Sequence, residues 1–194
     1  MKRILGLAIL LIPLVALLLI AHTATADDHP FVGSKDCKKC HLKEFKSWEG
    51  TKMAQAFEIL RPGNAAEAKT KAGLDPNADY TGDAKCLACH TVGYGKPGGF
   101  TSEAETPDHL GVGCESCHGA GGSYTADDKM SLKNKEYKRA DILAAGLVDT
   151  SDEATLKAVC ESCHNDQSPT GASFDFAAQK DEGRHENFPL KYEH

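Results

Sequence analysis

Apolar residues recur along the chain at the spacing of helices, in short stretches broken by glycine and proline. Residues 42–60 fit an amphipathic helix that ends at the Arg-Pro-Gly sequence of residues 61–63. Asn64 is a candidate cap for a second helix through Lys71, with Gly73 just after its end. The pattern predicts short helices joined by long loops.

The second half of the chain continues this pattern. Residues 92–99 are rich in glycine and include a proline, so they predict a turn or a small hairpin. Thr150 and Glu153 have the spacing of a capping box before an apolar stretch at residues 154–164. Residues 173–185 form the last predicted helix. No linker separates two domains, so one domain is predicted over residues 27–194.

The chain opens with a charged segment and then a strongly apolar one. Lys2 and Arg3 precede an apolar run at residues 4–21, and Ala-Thr-Ala follows at residues 24–26. This order is typical of a secretory signal peptide over residues 1–26, cleaved after Ala26, and it predicts export to a bacterial periplasm. The apolar run is nearly long enough to span a bilayer, so an uncleaved N-terminal anchor stays open as an alternative.

The charge of the chain narrows the choice of partners. It carries 22 basic and 28 acidic side chains, and loss of Lys2 and Arg3 with the signal leaves a net charge of −8. An acidic surface argues against nucleic acid and against an anionic membrane surface. It favours a partner with a basic docking patch, and simple solubility explains it equally well.

Four copies of one pentapeptide carry the chemistry. The sequence C-x-x-C-H occurs at residues 37–41, 86–90, 114–118 and 160–164, called the first to fourth motif below. It is the attachment signal for c-type haem. Because residues three and four apart share a helical face, two thiols reach the two vinyl groups of one porphyrin and the histidine lies under the iron. The predicted attachment sites are Cys37, Cys40, Cys86, Cys89, Cys114, Cys117, Cys160 and Cys163, and the predicted proximal iron ligands are His41, His90, His118 and His164.

Disulfides and zinc are the alternatives for so many cysteines. Disulfides would not require a histidine after every pair, and zinc sites need no fixed Cys-His adjacency. All eight cysteines fall into the four motifs, with none left over. The pattern therefore predicts four covalently bound haem c groups. So much flat apolar cofactor leaves little need for a conventional protein core.

The side chain opposite each proximal histidine decides what the iron can do. A second protein ligand makes an electron carrier, and an open face permits small-molecule chemistry. The candidate distal ligands are Met53, His109, Met130 and His185, with His29 and His194 as further histidines near the chain ends. Each has a plainer alternative, since loop and surface histidines are usually solvated and a helical methionine usually fills core space.

Several further stretches are specific enough to indicate a family. They lie at residues 31–40, 47–48, 74–76, 79–81, 98–101 and 111–119. These stretches have the order, and nearly the spacing, of the corresponding stretches in the tetrahaem cytochrome c-554 family, which they resemble. That family serves hydroxylamine oxidation in ammonia-oxidising bacteria. The resemblance implies a mainly α fold with long loops, organised around four packed haems in close parallel and perpendicular pairs. It also implies three haems with two axial histidines and a five-coordinate second haem that can meet nitric oxide.

The chain departs from this family at two distal positions. Met53 stands where the resemblance implies a histidine, and a gapless match places Asp128 at another such position, with Met130 as the natural substitute. The family's C-terminal distal histidine falls near His185. As the family's histidines do, Met53 would serve the His118 haem and Met130 the first haem. Thioether ligation stabilises ferrous iron relative to bis-histidine ligation and raises the potential. Family members are often basic, whereas this chain is acidic.

Electron transfer is the leading predicted function. The chain would carry electrons in the periplasm from an oxidoreductase resembling hydroxylamine oxidoreductase to another cytochrome or a quinone-linked membrane protein. No bond is made or broken, so no catalytic acid, base or nucleophile is required. The alternative is an enzyme that reduces nitric oxide or a related molecule at the His90 haem, which has no obvious distal partner if His109 is engaged elsewhere. A haem-based sensor is a third class, although no signalling domain is attached.

Overall fold

Short helices and long connections build the molecule. The structure is a computed structural model that describes residues 29–169 and 174–190. The described residues contain two isolated β-bridges and no longer strand. The predicted mainly α fold with long loops is confirmed, while the predicted signal peptide lies outside the described residues. The helices are α1 (Ser34–Lys38), α2 (Leu42–Glu49), η1 (Glu58–Leu60), α3 (Ala66–Lys71), α4 (Ala84–His90), η2 (Pro107–His109), α5 (Cys114–His118), α6 (Arg139–Ala144), α7 (Glu153–Glu161) and α8 (Phe176–Gln179), where η marks a 3-10 helix.

The first long helix is shorter than the sequence predicts. Helix α2 ends at Glu49, and turns replace the predicted helix up to the 3-10 segment η1. The Thr51 hydroxyl donates to the carbonyl of Trp48 (2.7 Å) and accepts from the Ala54 N–H (3.2 Å). A threonine hydroxyl that competes in this way for backbone groups favours a turn over a continued helix. Met53 therefore lies in a turn rather than on a helix.

The predicted caps were wrong at two helices, although both helices exist. Helix α3 begins after Ala65, and the side-chain amide of Asn64 instead donates to the carbonyl of Glu58 (2.8 Å). Helix α7 is capped by Asp152, whose carboxylate accepts from the Thr155 N–H (2.8 Å). Asp152 lies closer to the first free N–H groups than Thr150, and an ionised cap is also favoured by the helix dipole.

The last predicted helix is mostly wrong. Helix α8 has only four residues, and His185 lies in an irregular stretch beyond it. Gly183 falls inside the predicted span, where glycine is unfavourable in a helix by about 1 kcal/mol relative to alanine. The four residues of α8 bury no side chain fully, so packing supplies little to extend it. The predicted turn at residues 92–99 is confirmed, since the Phe100 N–H donates to the Val92 carbonyl (2.9 Å) across it.

The apolar core is small. Its main cluster contains Phe57, Leu60, Leu87 and Phe100, and the rings of Phe57 and Phe100 lie 5.8 Å apart. Among residues 29–169 and 174–190, no helix has the length and apolar character needed to cross a membrane. The molecule thus has far less protein core than its length would lead one to expect.

Two glycines with a positive φ offer a test of how tightly the first motif is packed. Gly33 precedes α1 with φ 84° and ψ 154°, and a Cβ built there would lie 2.9 Å from Cε1 of His109. Gly63 has φ 76° with nothing within 4 Å of its Cβ position. Only glycine adopts the Gly33 conformation without strain.

We expect Gly63→Ala to destabilise the holoprotein by about 1 kcal/mol through backbone strain alone. Gly33→Ala should cost about 2 to 4 kcal/mol, because a steric clash adds to the strain. Thermal unfolding of both variants measures the difference. Equal shifts in the unfolding temperature would show that His109 does not pack tightly against Gly33.

Candidate cofactor site

Each of the four motifs begins on a helix. The whole second motif lies in α4 and the whole third motif is α5, so their two cysteines and histidine share a helical surface. Helices α1 and α7 include only the first cysteine of the first and fourth motifs. In the first motif the N–H groups of Cys40 and His41 still donate to the Cys37 carbonyl, which preserves a helical turn. None of the eight cysteines, all of which lie in the described residues, forms a disulfide.

The first and third motifs touch through their cysteines. The thiols of Cys37 and Cys114 form a hydrogen bond that raises the pKa of Cys37 and lowers the pKa of Cys114 to about 7. Burial raises the pKa of Cys37 further. The two attachment sites therefore lie next to each other, although 76 residues separate them in the chain.

Two more contacts join the fourth motif to the second and third motifs. Burial, followed by the adjacent Cys163, raises the pKa of Cys89 to about 11, which places the second motif beside the fourth. Burial, then Cys160 and Cys163, raises the pKa of Cys117 to about 11, so the third motif also adjoins the fourth. Helices α5 and α7 pack against each other accordingly. The order in space is first, third, fourth, second.

A cavity of about 170 Å³ lies where three of the motifs converge. The second, third and fourth motifs all contribute to its wall, and Phe31 and Val112 add apolar surface. Among the lining residues are Ala88, Cys89, Glu115, Ser116, Ser162 and Cys163. Cys89 and Cys163 thus face the same internal space.

A buried histidine without a hydrogen-bond partner indicates that a metal-bearing group belongs here. His109 is 6% exposed, and neither ring nitrogen has a partner among the described residues. An unsatisfied buried polar group costs about 1–3 kcal/mol, which an iron ligand bond would offset. No group of three or more His, Cys, Asp or Glu side chains in the described part of the chain could hold a bare ion. Scattered imidazoles beside paired thiols fit haem, whose porphyrin already supplies four ligands to the iron.

One pair of histidines has the spacing of two axial ligands. The ring centroids of His118 and His185 lie 6.2 Å apart. Two imidazole nitrogens that each lie about 2.0 Å from one metal place their ring centroids about 6 Å apart. The Nδ1 atom of His185 lies 2.8 Å from the Glu186 carbonyl, which would leave Nε2 to the metal.

Burial keeps two of the motif histidines, His90 and His118, in the neutral form that binds metals. It is the main cause that lowers the pKa of His118 to about 4, with His185 and His41 as further causes. Burial also lowers the pKa of His90, whose Nδ1 lies 2.6 Å from the Ala56 carbonyl. A fixed Nδ1–H leaves the other nitrogen as a ligand. His164 stacks on Phe174, with ring centroids 4.3 Å apart.

The structure places Met53 and Met130 in different surroundings. Met53 is half-buried beside Gly183, since a Cβ built on Gly183 would lie 2.6 Å from its Cε. It thus contacts the segment that carries His185, and His185 is the side chain whose ring faces His118. This arrangement favours His185 over Met53 as the ligand opposite His118, which differs from the sequence-based pairing.

Met130 lies near the first motif. It is half-buried, and its N–H donates to the Tyr124 carbonyl (3.0 Å). Burial raises the pKa of Tyr124, and the neighbouring Cys37 raises it further. Asp128 is exposed and pairs with Lys129 (3.0 Å).

The structure says less about the last two candidate distal histidines, His29 and His194. His29 forms a hydrogen bond through Nδ1 with the Ser123 hydroxyl and lines a second cavity of about 340 Å³. Its ring also packs on Gly146. His194 lies outside the described residues.

Sequence reasoning missed Glu115, the second residue of the third motif. It is 2% exposed, and its carboxylate accepts from the N–H groups of Val32 (3.0 Å), Gly33 (2.8 Å) and Gly121 (2.7 Å). The fourth motif has the same sequence, Cys-Glu-Ser-Cys-His, so the motif itself does not distinguish the two glutamates. The run of glycines after the third motif was the available signal, since a backbone that wraps a carboxylate needs small residues.

Replacing His185 tests the proposed axial pair. We expect His185→Ala to open one iron, so the reduced holoprotein should bind one more equivalent of carbon monoxide than the wild type. His29→Ala is the control, because the structure gives that ring a hydroxyl partner, and it should leave the stoichiometry unchanged. An unaltered titration in His185→Ala would rule out this ligand.

Comparisons with known proteins identify relatives of this chain. The family model described as cytochrome c554 and c-prime matches residues 36–119, which include the first three motifs. Cytochrome c-554 of Nitrosomonas europaea is 40% identical over 139 residues, which are 72% of this chain and 59% of that protein. The chain thus matches less than two thirds of the length of this curated relative.

A solved structure extends the similarity to the fold. The reduced state of cytochrome c554 from Nitrosomonas europaea matches with a TM-score of 0.68 and 34% identity. The match covers 85% of this chain and 89% of that chain. The similarity therefore extends well beyond the haem motifs.

Proposed function

The chain belongs to the cytochrome c-554 family, whose members carry covalently bound c-type haems, and we propose that it relays electrons between two redox proteins of the periplasm. The observation that carries this proposal is the unbroken contact order of the four motifs. The thiol pairs Cys37–Cys114 and Cys89–Cys163 and the contact of Cys117 with the fourth motif join all four. A relay needs such continuity, whereas a single reaction centre does not.

We assign the eight motif cysteines to thioether bonds and the four motif histidines to the proximal positions. Each haem, when bound, supplies a reversible one-electron carrier. His185 is assigned to the iron of His118 and Met130 to the iron of His41. His109 is the candidate that remains for another iron, and Met53, which contacts Gly183, is assigned to none. Burial around His90 and His118 excludes water and keeps both imidazoles neutral.

The exposed residues around the first and fourth motifs suggest how partners dock. Cys40, in the first motif, is exposed, and Leu42 beside it is 46% exposed. The fourth motif is flanked by exposed acidic side chains, namely Asp152, Glu153, Glu161 and Asp166. We propose that a basic patch on one partner docks at this acidic surface. An oxidoreductase resembling hydroxylamine oxidoreductase would be the donor, and another cytochrome or a quinone-linked protein the acceptor.

A relay assay tests the function. Small amounts of the holoprotein should accelerate electron transfer from reduced hydroxylamine oxidoreductase to an oxidised acceptor cytochrome, and the rate should fall as salt screens the docking charges. A potentiometric titration should consume four electrons. If the protein gives no acceleration but turns over nitric oxide when reduced, the reductase alternative replaces the relay.

The two methionines give a second test. We expect the oxidised protein to show the near-red absorption band of an Fe–Met bond. Met130→Leu should abolish this band and lower the potential of one haem if histidine or no ligand takes its place. Met53→Leu, a swap of similar volume, should keep the band. If Met53→Leu loses the band and Met130→Leu keeps it, Met53 is the iron ligand, which contradicts the assignment made above.

A further inference from the structure

Glu115 is a buried carboxylate surrounded by backbone donors. Its Oε1 accepts from Val32 and Gly121, and its Oε2 accepts from Gly33 and, at 3.2 Å, from Val32. All these partners donate, and an ionised carboxylate is the form that only accepts. The carboxylate therefore brings a negative charge into the interior and is stabilised there by N–H dipoles.

This carboxylate lies between the first and third motifs. Val32 and Gly33 lead into α1, which carries Cys37, while Glu115 follows Cys114 directly. The hydrogen bond to Cys114 and burial are the main causes that raise the pKa of Cys37, and the charge of Glu115 raises it further. The charge of Glu115 thus acts on groups of both motifs.

We propose that Glu115 is a positioning residue that fixes the first and third haems against each other, and that its charge lowers the reduction potentials of this pair. The proposal rests on the proposed function, in that both motifs hold haem. A negative charge in a low-dielectric interior favours ferric over ferrous iron, because reduction adds an electron nearby. The same hydrogen bonds hold the segment before the first motif against the third motif.

The chain contains its own matched control. Glu161 occupies the same position in the fourth motif, within the same five-residue sequence. Its side chain is 50% exposed and its Oε1 lies 3.6 Å from Nζ of Lys157. Solvent and the lysine screen its charge. The two glutamates therefore share a motif position and differ in burial.

The experiment compares Glu115→Gln with Glu161→Gln in the matured four-haem protein, by potentiometric titration followed optically and by electron paramagnetic resonance. We expect Glu115→Gln to raise the potentials of the haems of the first and third motifs by more than those of the other two. Glu161→Gln should shift none of the four by a comparable amount. Unchanged potentials in Glu115→Gln, or equal shifts in both variants, would overturn the proposal.

A third variant separates charge from position. Glu115→Asp keeps the charge but shortens the side chain, so the unfolding temperature should fall while the potentials stay close to those of the wild type. Equal shifts of potential in the Asp and Gln variants would show that the charge is not the cause.

A measurement on the wild type covers the case in which the variants do not mature. With ¹³C-labelled glutamate, redox-difference infrared spectroscopy should show a carboxylate band that changes as two of the haems are reduced. Absence of a perturbed carboxylate band would overturn the proposal. The relay assay is a separate readout. If the Glu115→Gln variant relays electrons and its haem potentials are unchanged, only the role of Glu115 is refuted and the proposed function stands.

Discussion

The hydrogen bonds of the Glu115 carboxylate to three backbone N–H groups hold the first and third motifs together. They connect the segment at Val32 and Gly33 with α5 and with the glycine loop at Gly121, across more than 80 residues of chain. A Cβ at Gly121 would lie 3.1 Å from Oε1, so only a backbone without a side chain approaches this closely without adjustment. The contact of α1 with α5, and hence the pairing of Cys37 with Cys114, depends on this interaction.

The rest of the fold is held in a similar way, by polar contacts between loops more than by an apolar core. The Trp48 indole donates to the Val112 carbonyl (2.9 Å), and the Val112 N–H donates to the Met53 carbonyl (2.9 Å). These bonds tie the end of α2 to the loop before the third motif. A family member that carries four large apolar cofactors needs its chain to connect them, and each cofactor adds apolar surface that the fold can bury.

Sequence patterns predicted the mainly α class and the helix that ends in the fourth motif, because apolar periodicity and the fixed spacing of each motif are local signals. The residue that caps this helix is nevertheless Asp152 rather than Thr150. They failed for residues 50–57 and 180–185, where Thr51 and Gly183 favour turns. The environment of Glu115 was not predictable from its motif, since Glu161 has identical neighbours and a different exposure. The spatial order of the motifs depends on pairings between distant residues, which one sequence does not encode in any local pattern.

The contact order of the motifs has a consequence for biosynthesis. A chain that crosses a membrane from its amino end delivers the first and second motifs first. The third and fourth motifs, which are their neighbours in the folded protein, follow later. The partner of the first motif emerges 77 residues after Cys37, and the partner of the second motif is the last of the four. Contacts that span such distances form late, since closing long loops is entropically costly. Under the proposed export, haem attachment would therefore act on an open polypeptide, and packing would follow once the carboxyl-terminal third has been delivered.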